Sequence, residues 1–119
     1  MSWNNEVNEI KKRLSLIQEM GGKDKIKRQH DAGRSTVRER IIALLDKNSF
    51  KEIGSLTGSS EYDEDGKLKS LLAANSVIGH GKINNSPVAI YGDDFTVRGG
   101  AADAAIWEKS VAAERFANE

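Results

Sequence analysis

Apolar residues at Trp3, Val7, Ile10, Leu14 and Ile17 recur at a 4-3-4-3 spacing. That spacing draws one stripe along a helix and predicts helix from Trp3 to about Met20. Glu6, Glu9, Lys11 and Lys12 fall on its wet faces, and Gly21-Gly22 predicts a left-handed cap after the last apolar turn. So narrow a stripe packs on its own domain or a neighbouring subunit rather than on a membrane surface, and it is too short for a free coiled coil. Residues 23–34, KDKIKRQHDAGR, hold one apolar residue, Ile26, and predict a solvated connector or a short irregular helix. Thr36 and Glu39 then form a capping-box pattern that opens a second helix, ending near Asp46. Its apolar positions are Val37, Ile41, Leu44 and Leu45, with Arg38, Glu39 and Arg40 on the outer turn.

The period then changes. Phe50 to Leu56 reads as a short strand interrupted by Gly54, after a turn at Asn48-Ser49. Gly58 to Lys69 is glycine, serine and acid with almost nothing apolar, which predicts a mobile, disordered surface loop. Ser76 to Ile83 and Val88 to Val97 are rich in β-branched and aromatic residues and predict a hairpin closed by Asn84-Asn85-Ser86-Pro87. The hairpin runs to Gly99-Gly100, and a further helix is expected at once, with Ala102, Ile106, Ala113 and Phe116 on one face and Trp107 beside them. Seven alanines between positions 101 and 117 would let it approach a sheet closely. The helical pattern is still running at Glu119, which reads as a truncated chain. The expected fold class is α+β.

Composition narrows the function. At 119 residues the prior is one small domain. Lys plus Arg and Asp plus Glu are both 18, so global steering toward nucleic acid or an anionic membrane has no support. The charge is segregated instead: residues 11–40 hold ten Lys or Arg against four acids, and residues 46–66 hold six acids against two Lys. Absence of Cys excludes a disulfide framework, a thiolate metal site and a cysteine nucleophile, and fits a cytoplasmic protein. No apolar run reaches the roughly 18 residues of a membrane span.

The basic stretch is either a solvated face or a patch for phosphate groups; no aromatic residue interleaves the cations to stack a base, which disfavours nucleic acid. His30 has no second ligand at metal spacing and reads as a surface or capping histidine. Asp93-Asp94 invites an acid–base or metal reading, but neighbours on a strand point to opposite faces. His80 and Tyr91 read as a cross-strand pair. Gly99-Gly100 either presents backbone N–H groups to a ligand or is punctuation. No catalytic triad, phosphate loop or zinc-helix motif is present.

Taken in order, Gln29-His30, Gly33, Thr36, Arg38-Glu39-Arg40-Ile41, Leu44-Leu45-Asp46, Ser49-Phe50, Asp94-Phe95-Thr96-Val97 and Gly99-Gly100 resemble the start of biotin-dependent acyl-CoA carboxyltransferases. That family includes the carboxyltransferase subunits of propionyl-, acetyl- and methylcrotonyl-CoA carboxylases. The resemblance implies a crotonase-like spiral of ββα units, with residues 1–46 a helical lead-in and residues 47–119 an incomplete crotonase-like domain. It implies hexamers built from dimers, acyl-CoA on the first domain, and carboxybiotin arriving on a separate carrier. It also implies backbone N–H groups that stabilise enolates, on loops downstream of the matched region. The chain is then the N-terminal segment of such an enzyme, inactive alone, or a stand-alone small subunit acting as an assembly or CoA-binding module. Lys25, Lys27, Arg28 and Arg34 become candidates for CoA phosphates, with packing against a partner subunit as the alternative, and Gly99 and Gly100 for the edge of the acyl-CoA pocket. No catalytic or metal residue is assigned, and neither nucleic acid nor membrane is an expected partner. The chain departs from many relatives at Ala101, where they place Ser, so the last helix would be capped by backbone or by Asp103.

Overall fold

The computed structural model describes residues 2–101 and 105–119. Among them are helices α1 (Asn4–Gln18), α2 (Lys23–Asp31), α3 (Val37–Leu44) and α4 (Trp107–Asn118), with strands β1 (Lys51–Ile53), β2 (Gly58–Tyr62), β3 (Leu68–Ala73), β4 (Ser76–Ile83) and β5 (Ser86–Asp93). The antiparallel sheet β1-β4-β5 lies between α3 and α4, and β2-β3 form a separate hairpin beside α1.

The β4–β5 hairpin turns more tightly than the sequence predicts. Asn84 and Asn85 both take positive φ, 48° and 71°, so two residues make the whole turn and β5 starts at Ser86. Pro87 is therefore inside a strand, opposite Lys82. This loses no ladder bond, because both polar groups of Lys82 point away from β5: its carbonyl accepts from the Asp46 N–H at 2.8 Å and its N–H donates to Ser49 Oγ at 3.1 Å. The Asp46 carboxyl fastens the turn by accepting from the N–H groups of Asn84 and Asn85 at 2.9 and 2.8 Å.

Alternation along β4 separates two faces. Val77 packs with Ile41 and Leu45 of the α3 segment, and Val37, Phe50, Ile83, Val88 and Ile90 close around them. The helix lies directly on glycine: a Cβ at Gly92 would sit 2.4 Å from Val37 Cγ2. α3 begins as predicted, with the Glu39 N–H on Thr36 Oγ1 and the Thr36 N–H on Glu39 Oε1. On the opposite face α4 buries Lys109 and Ala113, while Phe116 is only part covered by the His80 ring, 6.2 Å away between centroids.

Several expectations fail. Residues 58–69 are not a disordered loop but most of the β2–β3 hairpin, closed by Asp63 Oδ1 accepting from the Asp65 and Lys67 N–H groups, with Gly66 at φ 76°. Both faces of β2 are largely exposed, so no apolar alternation marks it. Of the solvated connector or short irregular helix expected over residues 23–34, the helix forms, and it is regular over residues 23–31. The last helix starts at Trp107 rather than after Gly100, because Ala101 is extended and its carbonyl is held by Asn75 Nδ2 at 2.8 Å. Ala102, and the cap expected from Asp103, lie outside the described residues.

After α1, Met20 (φ 53°) and Gly22 (φ 104°) take positive φ, so of the expected glycine pair only Gly22 does. Gly21 serves contact instead: a Cβ there would lie 1.8 Å from the Thr96 carbonyl oxygen. Of the α1 stripe, Ile17 is buried, whereas Trp3, Val7 and Ile10 are 68, 43 and 48 % exposed.

Candidate functional site

A groove of about 980 Å³ runs between α3 and β5. One wall is Val37, Arg40, Ile41 and Leu44, which at i, i+3, i+4 and i+7 form one stripe of α3. The other wall is an unbroken run, residues 90–96. Consecutive residues can line one groove only when the backbone edge itself is open, and β5 is an edge strand. Leu44, Tyr91 and Phe95 supply exposed apolar surface, and Gln29, Arg34 and Arg40 form a polar, cationic rim. The Tyr91 hydroxyl donates to Asp93 Oδ1 at 2.9 Å; partial burial first, then Asp93, raise its pKa.

At the end of the groove lie the buried Asp94 and Thr96, and behind them further buried polar residues collect. Asp94 Oδ1 accepts from the Thr96 N–H at 2.9 Å and from Thr96 Oγ1 at 2.6 Å. Thr96 Oγ1 in turn accepts from the Gly21 N–H at 2.9 Å, which ties the α1–α2 joint to the end of β5. The Asp94 N–H donates to the Asn75 carbonyl at 2.7 Å. Next to Asn75, the Ser76 carbonyl accepts from Lys109 Nζ at 2.7 Å. Asn75, Ser76, Asp94, Thr96 and Lys109 are all buried, with burial the first cause of a lowered Lys109 pKa. Nearby, Arg38 meets Glu52 through a two-bond fork of 2.7 and 2.9 Å, each side chain 13 % exposed, and Arg38 Nε is buried without a partner among the described residues. Arg38 thus turns inward, not onto the outer turn as the sequence pattern suggested.

The basic stretch divides between two faces of α2. Lys27 pairs with Asp31 at 2.6 Å, while Lys25 and Arg28 fall on the side of Gln29, which lines the groove. Arg34 lines the groove directly, joined by Arg40, the last residue of the basic stretch and part of the family-matching Arg38–Ile41 segment. Gly99 and Gly100 are exposed, and Gly100 lies near the Phe95 ring. The turn folds its own donors back: the Gly100 N–H reaches the Val97 carbonyl and the Ala101 N–H the Arg98 carbonyl, both at 3.0 Å. His30 is a surface residue whose Nε2 meets Glu39 Oε1 at 2.6 Å; that bond first, then the Thr36 backbone and hydroxyl, lower the Glu39 pKa to about 2. His80 and Tyr91 do not pair, since the register sets His80 opposite Ala89 and Tyr91 opposite Ile78. Asp93 and Asp94 diverge as expected, one exposed and one buried. Lys109 and Asn75 carried no sequence signal beyond their polarity. Among the described residues no three His, Cys, Asp or Glu could share a metal, and no helix is long and apolar enough to cross a membrane.

The family model described as carboxyl transferase domain matches residues 28–119. The propionyl-CoA carboxylase carboxyltransferase subunit of Haloferax mediterranei is 32 % identical over 110 residues, covering 92 % of this chain and 21 % of that protein. A biotin-dependent long chain acyl-coenzyme A carboxylase beta4 subunit of Mycobacterium tuberculosis is 37 % identical over 92 residues, 77 % of this chain and 17 % of its own length. The chain therefore spans about a fifth of the curated relatives it matches. A crystal structure of transcarboxylase 12S, described as a hexamer with methylmalonyl-coenzyme A bound, superposes with a TM-score of 0.79 at 29 % identity, over 98 % of this chain and 23 % of its own. The fold is crotonase-like, as the resemblance implied.

Proposed function

Because the chain belongs to the carboxyl transferase family, we propose that it forms the acyl-CoA-facing start of a biotin-dependent carboxyltransferase, which moves a carboxyl group from carboxybiotin to an acyl-CoA. The observation that carries this is the match over residues 28–119 together with superposition along nearly the whole chain. Residues 1–46 are then the helical lead-in and residues 47–119 the first part of the crotonase-like domain. The groove supports the reading chemically. Its volume is that of a small-ligand cleft. Leu44, Tyr91 and Phe95 offer exposed apolar surface for an acyl or pantetheine arm, and Arg34 and Arg40 place cations at its rim for phosphate. Lys25 and Arg28 extend that cationic side, Lys27 is neutralised by Asp31, and a role for Gly99-Gly100 at the pocket edge is supported by Gly100, which lies near the Phe95 ring.

Biotin enters as a group delivered by another domain. The charged rim suits phosphates rather than a neutral ureido ring, so no residue here is assigned to it. The N–H groups of Gly100 and Ala101 are engaged inside their own turn, so enolate-stabilising donors come from elsewhere in the assembly. The isolated chain accordingly binds CoA without turnover, and works in the cytoplasm with its complement rather than on nucleic acid or membrane. Calorimetric titration with CoA tests this. Saturable heat below about 1 mM, weakened by the Arg34→Glu, Arg40→Glu double variant, is the expected result. A flat titration overturns the groove assignment, and measurable carboxyl transfer by the chain alone overturns its dependence on a complement.

A second reading, an assembly module that binds its own copies or a complementary carboxyltransferase piece, is favoured by one observation. Trp3, Val7 and Ile10 leave an apolar stripe on the projecting half of α1. A strictly monomeric sedimentation profile, with no shift when the complement is added, removes it.

A further inference from the structure

Residues 46–66 are an acidic stretch of the sequence, yet the fold leaves its two lysines, Lys47 and Lys51, without an ion pair among the described residues. β1 starts only at Lys51, opposite His80, so the last part of β4 has no strand beside it on that side. The turn at residues 46–49 lies there instead. The Asp46 N–H donates to the Lys82 carbonyl at 2.8 Å, and the Lys82 N–H to Ser49 Oγ at 3.1 Å. The turn closes with the Ser49 N–H on the Asp46 carbonyl at 3.0 Å, and Asn48 takes its left-handed position, φ 60°. A cleft of about 500 Å³ opens there, lined by Lys47, Lys51, His80 and Lys82 among others.

Strand register gathers these groups. His80 is directly opposite Lys51, and Lys82 is two residues further along β4, so the three side chains share one face of the sheet. The Lys51–Lys82 diagonal sets the two backbones about 7–8 Å apart, close enough for both ammonium groups to meet on one anion. No acid answers them. Asp46, the carboxylate that lines the cleft, has both oxygens occupied by the N–H groups of Asn84 and Asn85 at 2.9 and 2.8 Å. Glu52, next to Lys51, is held by the Arg38 fork. Ser49 adds a donor: its oxygen accepts from Lys82, and its hydroxyl proton meets no acceptor among the described residues. Lysine ammoniums are compact point charges that can meet a tetrahedral oxyanion from several sides. No Phe, Tyr or Trp lines the cleft, so a nucleobase has nothing there to stack on. We infer that this cleft is a phosphate site, in which Lys47, Lys51, Lys82 and the Ser49 hydroxyl hold the phosphate group of a small phosphate or phosphate ester. It shares no lining residue with the groove between α3 and β5, and it does not depend on the acyl-CoA reading of that groove.

The test follows nitrogen-15 amide spectra of the whole 119-residue chain during titration with inorganic phosphate, pyrophosphate and CoA. Salt is kept low, near 0.01 M, where the screening length is about 30 Å. Saturable shifts are expected at Lys47–Ser49 and Gly81–Lys82, with a midpoint below about 10 mM for phosphate and a lower one for pyrophosphate. They weaken at 0.15 M salt, where screening shortens to about 8 Å. The Lys51→Gln, Lys82→Gln chain binds about tenfold more weakly, with a thermal midpoint no lower than wild type because like charges have been removed from neighbouring strands. The charge-matched control Lys11→Gln, Lys12→Gln binds as wild type. Where CoA moves the same amides and the double variant weakens it, the phosphate held is CoA's own. Where CoA leaves them unmoved and phosphate still saturates, the site takes a different phosphate, and a CoA titration flat everywhere overturns the groove assignment alone. The phosphate site is overturned by unsaturable shifts with both phosphate and pyrophosphate, by equal shifts from chloride at matched ionic strength, or by a double variant that binds as wild type. Lysines that serve only to keep the β1 edge from pairing with other chains give those results.

Discussion

Removing the Asp94 carboxyl should damage this protein more than its position beside a surface turn suggests. Asp94 is 1 % exposed and accepts two hydrogen bonds from Thr96, itself 2 % exposed. Asp94→Ala leaves a buried amide N–H and a buried hydroxyl proton with no acceptor, at about 1–3 kcal/mol each, so the expected loss is about 2–6 kcal/mol. Against a total near 5–15 kcal/mol for a small domain, that takes from about an eighth of the stability to all of it. Asp94→Asn keeps an acceptor at the same place and should lose about 1 kcal/mol. Thr96→Val removes the other half of the bond and frees the Gly21 N–H, so a double-mutant cycle between positions 94 and 96 should show coupling of about 1–3 kcal/mol. Urea unfolding followed by circular dichroism measures the three single variants and the double variant against wild type. An Asp94→Ala chain within about 0.5 kcal/mol of wild type refutes the reasoning, because a buried donor pair cannot lose its acceptor at so small an effect.

Two further outcomes follow from the packing around α3. Glu39 has its folded pKa lowered from 4.5 to about 2, so its stabilisation is complete above about pH 4.5 and is lost as pH falls from there toward 2. Unfolding midpoints measured across that window should decline in wild type, and Glu39→Gln should remove part of that decline. Gly92→Ala puts a Cβ 2.4 Å from Val37 Cγ2, a stiff β-branched neighbour, and should destabilise by about 1–3 kcal/mol, most of it recovered in the Gly92→Ala, Val37→Ala double variant. The thermal midpoints of the two singles and the double decide it.

What could be read ahead of the structure was whatever a short stretch determines by itself. The α1 helix, the Thr36–Glu39 box and the place of the β4–β5 turn each depend on a few neighbouring residues and appear where expected, the turn taking two residues rather than four. The β2–β3 hairpin escaped because its strands have no dry face, although Asp65-Gly66 at its tip was a usable turn signal. The alanine-rich segment suggested helix from Gly100 onward, but Asn75, far back in sequence, holds Ala101 extended. The same limit hid the site. Arg34 was in reach of a charge argument, and the family pattern marked Asp94 to Val97, but nothing local could say that Arg38 turns to Glu52 or that Lys109 is buried. Those depend on which elements meet, and a pattern of periods carries no such information.

The bond from the Gly21 N–H to Thr96 Oγ1 spans 75 residues of sequence, and Gly21 lies in contact with the Thr96 backbone. A ribosome adding roughly 5–20 residues each second leaves the joint between α1 and α2 without its seat for several seconds after Gly21 is made. Until then α1 has only the earlier-made β3 to lean on, and α2 is a marginal helix of 9 residues. Their docking is a late, non-local step of high contact order, which makes the first thirty or so residues the part of the chain most open to proteases or a chaperone while the protein is being made.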